Sequence, residues 1–198
     1  MKLFFVLMIL FLAAVQGWAQ PLKSLGLIGN RVQERFETLV QEDLSLLEKE
    51  GFYEAAKFFR NFPRELTYWT QDYVGDYRVK VELFALQYRD IGNLAPPEVA
   101  ESLENFLESL RLGEEPLPQI IIRERGEKIF YLYVLPLKVK KSCLPCHGSR
   151  IRFQEELREL YPEDQARELK VGDLRGALVI EIAPEALNRF ASKLSKSP

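Results

Sequence analysis

From Ile28 the apolar residues Val32, Phe36, Leu39, Val40, Leu44 and Leu47 recur at spacings of three and four. That is the period of one buried helical face, and it predicts a long amphipathic helix ending near Gly51. Residues 53–61 continue in helical period up to Pro63, whose ring disfavours helical geometry in Phe62 but suits a first helical turn. A further short helix is therefore expected there, with Gly75 closing the N-terminal region. Residues 77–83 alternate charged and apolar side chains, as a strand with one wet face does. Behind Pro96 and Pro97, the stripe Val99, Leu103, Phe106, Leu107 and Leu110 predicts another helix, stopped by Gly113. Residues 119–124 and 128–135 flank Arg125 and Gly126 and predict a hairpin of two largely buried strands. Residues 138–148 read as a loop, 151–160 as a helix, 175–182 as a last strand, and Pro184 opens a C-terminal helix. Helices first and then strands joined mostly by short turns imply an α+β domain whose antiparallel sheet is covered on one face.

The chain has 198 residues, 47% hydrophobic and 28% charged, enough for one core and short for two. No internal repeat or linker divides it. Lys2 is followed by an apolar run to Val15 that is short for a bilayer span, and Gly17 and Ala19 are the small residues a signal peptidase reads. Residues 1–19 are accordingly expected to be a signal peptide, with residues 20–198 forming a single exported, periplasmic domain; membrane attachment is expected only if that segment stays uncleaved. Cleavage removes Lys2 and no acid, leaving 26 basic against 29 acidic residues. A mildly acidic chain lacks the basic face of a nucleic-acid binder.

Both cysteines and the sole histidine fall within five residues, as Cys143-Leu144-Pro145-Cys146-His147. Two thiols three positions apart can reach the two vinyl groups of one porphyrin, and the adjacent imidazole can reach its iron from the same side. Three alternatives fit less well. A structural zinc site wants four protein ligands, a redox dithiol is usually placed after the first strand of a βαβ unit, and a disulfide here would close too short a loop to stabilise much. One covalently attached haem c is expected, with His147 as axial iron ligand.

The iron's second axial position lacks the usual donors. His147 is unique, both cysteines are used, and Met1 and Met8 leave with the signal. What remains is a vacant or water-bound site, a lysine, a tyrosine, the new amino terminus at Gln20, or a ligand from another subunit. An open or weakly ligated iron is the favoured expectation. Such an iron binds diatomic gases in an apolar pocket, whereas a fully ligated one mainly exchanges electrons.

The runs Cys143–Gly148 (CLPCHG), 161–166 (YPEDQA) and 170–177 (KVGDLRGA), with a fainter match over 89–97 (RDIGNLAPP), resemble the exported PAS-like haem c domains. These occur as small periplasmic or lumenal proteins and as sensory inputs of bacterial histidine kinases. The resemblance implies a PAS-like antiparallel sheet with long N-terminal helices and a haem c. It also points to Tyr161, Pro162 and Phe59 as cofactor contacts. Many members carry a cysteine ligand in the second helix, where this chain has Phe59, or Arg60 by a one-residue shift, so that ligand does not carry over and an apolar, open side is expected. Members commonly have glycine at the position of Glu168, so the haem-covering turn is expected to differ there.

Lys170 and Arg175 are candidate propionate partners or else strand-end charges. Lys138, Lys140, Lys141, Arg150 and Arg152 are candidates for docking an acidic redox partner or, more simply, for a solvated surface. Phe58, Phe59, Phe62, Tyr68 and Trp69 would line a pocket or pack a core, and Tyr131 and Tyr133 are read as core, with a phenolate ligand as the alternative. The expected function is redox or small-gas sensing. The alternative is a periplasmic electron-transfer cytochrome. With no second histidine there is no evident acid–base residue for peroxidase-like chemistry, and the chain is not expected to be an enzyme. No kinase or receiver is expected beyond Pro198, and output is expected through a sensor kinase or redox partner protein.

Overall fold

The computed structural model describes residues 2–195, with side chains from residue 21 onward; the expected signal segment lies outside the residues whose side chains are described. Helix α1 (Lys2–Glu50) is followed by α2 (Phe52–Arg60) and α3 (Phe62–Val74), with Pro63 in the first turn of α3 and a left-handed Gly75 ending it. Strand β1 (Val79–Phe84), helix α4 (Pro97–Arg111) and the hairpin β2 (Gln119–Arg125) and β3 (Lys128–Lys138) come next. After β3 the chain makes a 3-10 turn (Lys141–Cys143), then α5 (Leu144–His147) and α6 (Gln154–Leu160), and closes with β4 (Leu174–Ile182) and α7 (Pro184–Leu194). Among the described residues no helix is long and apolar enough to cross a membrane.

The sheet is wholly antiparallel in the order β1-β4-β3-β2. Its central strand β4 is buried on both sides, which corrects the expectation of one covered face. Leu178, Ile180 and Ile182 pack with Leu25, Ile28, Phe62 and Phe190 from the helices α1, α3 and α7. Ala177 and Val179 point the other way, onto Val99, Leu103 and Phe106 of α4. An amphipathic helix has to bury its stripe somewhere, and with the first face already taken, α4 takes the second. The buried charge on that face, Glu181, is met by Arg123 at 2.8 Å and Arg125 at 3.0 Å, and Arg123 also holds Glu98 of α4 at 2.6 Å.

The hairpin turns at Gly126, whose φ of 64° suits a tight two-residue connection. Its outer strand is not buried as expected. On the α4 side Ile121 packs, but on the α1 side Ile122 remains 62% exposed, because α1 lies over β3 and stops short of the edge. Close seating of α1 on β3 depends on Gly29: a Cβ there would fall 2.4 Å from the Tyr133 ring. A third cluster joins the end of α1 (Leu47), α2 (Phe52, Ala55, Ala56) and α6 (Leu157) to Cys146 and Tyr161. It ties the cysteine segment to the N-terminal helices.

Candidate functional site

Residues 138–148, read as a loop, are in fact partly helical. Pro145 sits in the first turn of α5, where no N–H is needed, and the Cys143 and Gly148 amides bond the carbonyls of Lys140 and Leu144 at 2.9 Å each. Helical spacing puts positions i, i+3 and i+4 on one side, so Cys143, Cys146 and His147 all line a single cavity of about 430 Å³. That volume is within the ~300–1,000 Å³ range of cofactor and ligand sites. Phe36 and Val40 of α1, Phe59 of α2 and Leu135 and Leu137 of β3 form much of its remaining wall. The two cysteines are free thiols, and burial pushes the Cys146 thiol up, partly offset by the Arg89 guanidinium.

His147 is only 8% exposed. Its Nδ1 lies 2.9 Å from the Ala166 carbonyl oxygen, which can only accept, and 3.2 Å from Arg89 Nη2, which can only donate; the shorter contact puts the ring proton on Nδ1 and the lone pair on Nε2. Arg175 Nε donates to that nitrogen at 3.3 Å. Burial, then the Arg175 and Arg89 cations, hold the imidazole well below its usual pKa and therefore neutral. A neutral ring whose far N–H is fixed by a carbonyl is the form in which histidine ligates metal. Two thiols and this imidazole on one cavity wall fit a porphyrin attached at Cys143 and Cys146 with His147 toward its iron.

The segment after α6 clamps the histidine. Asp164, with no exposed side-chain surface, lies 3.3 Å from Arg89 Nε and 3.2 Å from Arg167 Nε, and it accepts the Ala166 amide at 2.8 Å. Arg89 Nη2 in turn donates to the Cys146 carbonyl at 2.5 Å, while the Leu169 amide bonds the His147 carbonyl at 2.9 Å. Between those contacts Glu168 adopts φ 59°. The turn keeps the left-handed geometry that glycine favours, without glycine, at a cost of about 1–2 kcal/mol. Glu168→Gly is therefore expected to raise the thermal midpoint by about 2 °C, after subtracting the entropy glycine adds to the unfolded chain. A lower midpoint in calorimetry would mean the glutamate side chain itself supports the turn.

Of the residues proposed from sequence, Cys143, Cys146, His147, Phe59, Tyr161 and Arg175 share the cavity wall. Pro162 and Lys170 are exposed and do not line it. Tyr161 is buried with the Arg60 and Arg89 guanidiniums 5.1 and 5.9 Å from its ring centre, and Arg60 Nε donates to its hydroxyl at 3.3 Å. Phe62 is core, Trp69 stacks on Tyr73, and Tyr68 is exposed. Tyr131 and Tyr133 are not among the lining residues. Lys138 and Lys140 reach the cavity rim but are ion-paired to Glu115 and Glu37. Sequence reasoning assigned no role to Arg89, Asp164 or Asp43. The first two stood inside quoted motifs, whereas Asp43 gave no signal as one acid among many on α1.

Residues 30–183 match the model of the Tll0287-like family. The chain belongs to that family. The matched span holds every cavity residue named above and ends at Ala183, before α7. A solved structure similar to the chain is described as the crystal structure of the cyanobacterial heme-protein Tll0287; it is 25% identical, with 78% of this chain and 94% of that one covered and a TM-score of 0.46. No curated protein matches the sequence. Membership accords with the resemblance drawn from residues 143–148 and 161–166, and the α+β fold with its antiparallel sheet and leading helices is the architecture that resemblance implied.

Proposed function

We propose that the protein is an exported monohaem c-type protein that senses redox state or a small gaseous ligand through an open or weakly ligated iron. The observation that carries this reading is the convergence of Cys143, Cys146 and the neutral His147 on one apolar-walled cavity. A heme-protein with a solved structure shares its family. The two cysteines would hold the porphyrin through thioether bonds, and His147 Nε2 would face the iron once Arg175 turns from it to a propionate. When bound, haem supplies a one-electron couple and a place for a diatomic ligand.

Support for an open iron comes from how the other donors are engaged. The rim lysines are bonded to glutamates, the Tyr161 hydroxyl is held by Arg60, and by the resemblance drawn from the sequence Phe59, or Arg60 by a one-residue shift, takes the place of the cysteine that many members carry. Export is supported by Pro21, which lies inside α1. A proline costs about 3 kcal/mol in a helix interior and little in a first turn, and cleavage before Gln20 would make its turn the first. Output would then pass to a partner, a sensor kinase or a redox protein, and the chain itself would bind rather than catalyse.

One observation favours electron transfer instead. Leu117, 74% exposed between Pro116 and Pro118, stands at the cavity rim and offers an apolar contact for a redox partner. The absorption spectrum of chain matured in a haem c-attaching periplasm separates the two readings. Covalent haem that shifts its main band when carbon monoxide is added to the reduced protein is the expected result. Absence of covalent haem would overturn the proposal, and a low-spin spectrum indifferent to carbon monoxide would move it to electron transfer.

A further inference from the structure

The wall of the cavity contains one half-buried carboxyl that nothing described so far uses. Asp43 lies one helical turn after Val40 on α1, lines the cavity, and has a buried Oδ1 with no hydrogen-bond partner. Buried polar atoms are nearly always partnered, and an exception calls for an explanation. Val40, Leu44, Phe52, Ala55, Ala56 and Phe59 of α1 and α2 share that wall and have nothing to donate, and the amides of Asn30, Gln33 and Gln41, which also line it, make no hydrogen bond to Oδ1. Burial raises the carboxyl to about 7. Its charge is felt at the Cys146 thiol, one of the two attachment atoms, so it acts electrostatically on the same space the porphyrin would take.

The other ionisable groups facing this cavity are committed elsewhere. On α1 itself Glu37 is paired with Lys140. Arg89, from the segment after β1, is paired with Asp164, Lys138 of β3 with Glu115, and Tyr161 with Arg60. Cys143 and Cys146 become thioethers in the proposed holoprotein, His147 is bonded to Ala166 O, and Arg175 of β4 stays cationic around neutral pH, with burial lowering it only to about 10.

We propose that Asp43 is a proton-binding site coupled to the oxidation state of the haem, its carboxylate taking a proton from solvent when the iron takes an electron and returning it on oxidation. The inference rests on the haem c reading given above. A one-electron reductant supplies the electron, ferric iron becomes ferrous, and the only bond formed is O–H on Asp43. The charge enclosed in the cavity is thereby unchanged. The physical reason is the sign of the interaction: the extra positive charge of the ferric form favours the carboxylate, and its loss on reduction favours the acid. By linkage, the proton in turn favours reduction.

Potentiometric titration of the haem-loaded chain across a series of pH values tests this. The midpoint potential of the unaltered protein is expected to be level in acid and then to fall as pH rises through neutrality. Its slope should approach the limit of one proton per electron, a tenfold change per pH unit or about 59 mV. Asp43→Asn, neutral at every pH, is expected to be level throughout that window, near the acid limit of the unaltered protein and with an unchanged absorption spectrum. Asp43→Glu is expected to restore the slope. An unaltered protein with no pH dependence near neutrality overturns the proposal. So does an Asp43→Asn variant with the same slope, which would put the proton on a propionate or another group, or one with an altered spectrum, which would make Asp43 an iron ligand. Proton uptake on reduction in weakly buffered solution, read with a pH indicator on the unaltered protein, decides the matter even if the asparagine variant does not mature: uptake near neutrality supports the proposal and its absence overturns it. Failure to find covalent haem at all would sink the haem reading instead, so the two failures are distinguishable.

Discussion

Chain matured with Cys143 and Cys146 both changed to alanine is expected to lose all of its haem to acidified organic solvent, while the unaltered chain keeps it. Without either thiol no covalent bond to a porphyrin remains, and His147 alone would hold the iron reversibly. Each single change should leave one thioether and a haem resistant to extraction, with the absorption of the alkaline pyridine derivative shifted by the vinyl group left free. The double variant should still fold, because the sheet and two of the three core clusters contain neither cysteine. Circular dichroism of the haem-free chain checks that point. If haem resisted extraction from the double variant, the attachment atoms would have to be sought elsewhere and the reading of the motif would fail.

The second large effect is expected at Arg89. Its guanidinium joins the fully buried carboxylate of Asp164 to the Cys146 carbonyl and lies 3.2 Å from the His147 ring. Removing one member of a buried pair leaves the other charge uncompensated, typically at 3–5 kcal/mol. Asp164 keeps Arg167, so the lower end applies, and Arg89→Ala should lower stability by about 3 kcal/mol. For a chain of this size that is about 6–12 °C in the thermal midpoint. Arg89→Lys should recover little, since one ammonium cannot span two acceptors as the planar fork does. A midpoint within 2 °C of the unaltered chain would show the clamp to be dispensable.

The contrast between these two sites explains what could be read in advance. Cys143, Cys146 and His147 could be singled out because their spacing is a local pattern, which the structure brings to one cavity wall, and the helices and strands because their apolar periods are local too. Whether a strand lies at the centre or the edge is not a local property. The apolar run of β2 resembles that of β3, yet Ile122 is mostly exposed because no helix reaches that side of the edge. Likewise the stripe of α4 announces a buried face without saying which side of the sheet will bury it. Arg89 and Asp43 become special only through partners, or the want of them, supplied by distant segments. Pro145 belongs between these cases: it lies in the segment 138–148 read as a loop, yet the same residue sits in the first turn of α5.

The clamp around His147 also has a kinetic consequence. It is assembled from residues 57 apart at Arg89 and Cys146 and 28 apart at His147 and Arg175, whereas the β2–β3 hairpin needs only its own two-residue turn. Contacts that close long loops carry more entropy loss before they are rewarded and set the slower part of folding. The segment from Asp164 to Arg175 also follows the cysteines in the chain, so synthesis delivers Cys143 and Cys146 before the parts that cover them. A group bonded to Cys143 and Cys146 in that interval would be enclosed as the last loops close, as part of the core rather than as a guest entering a finished pocket.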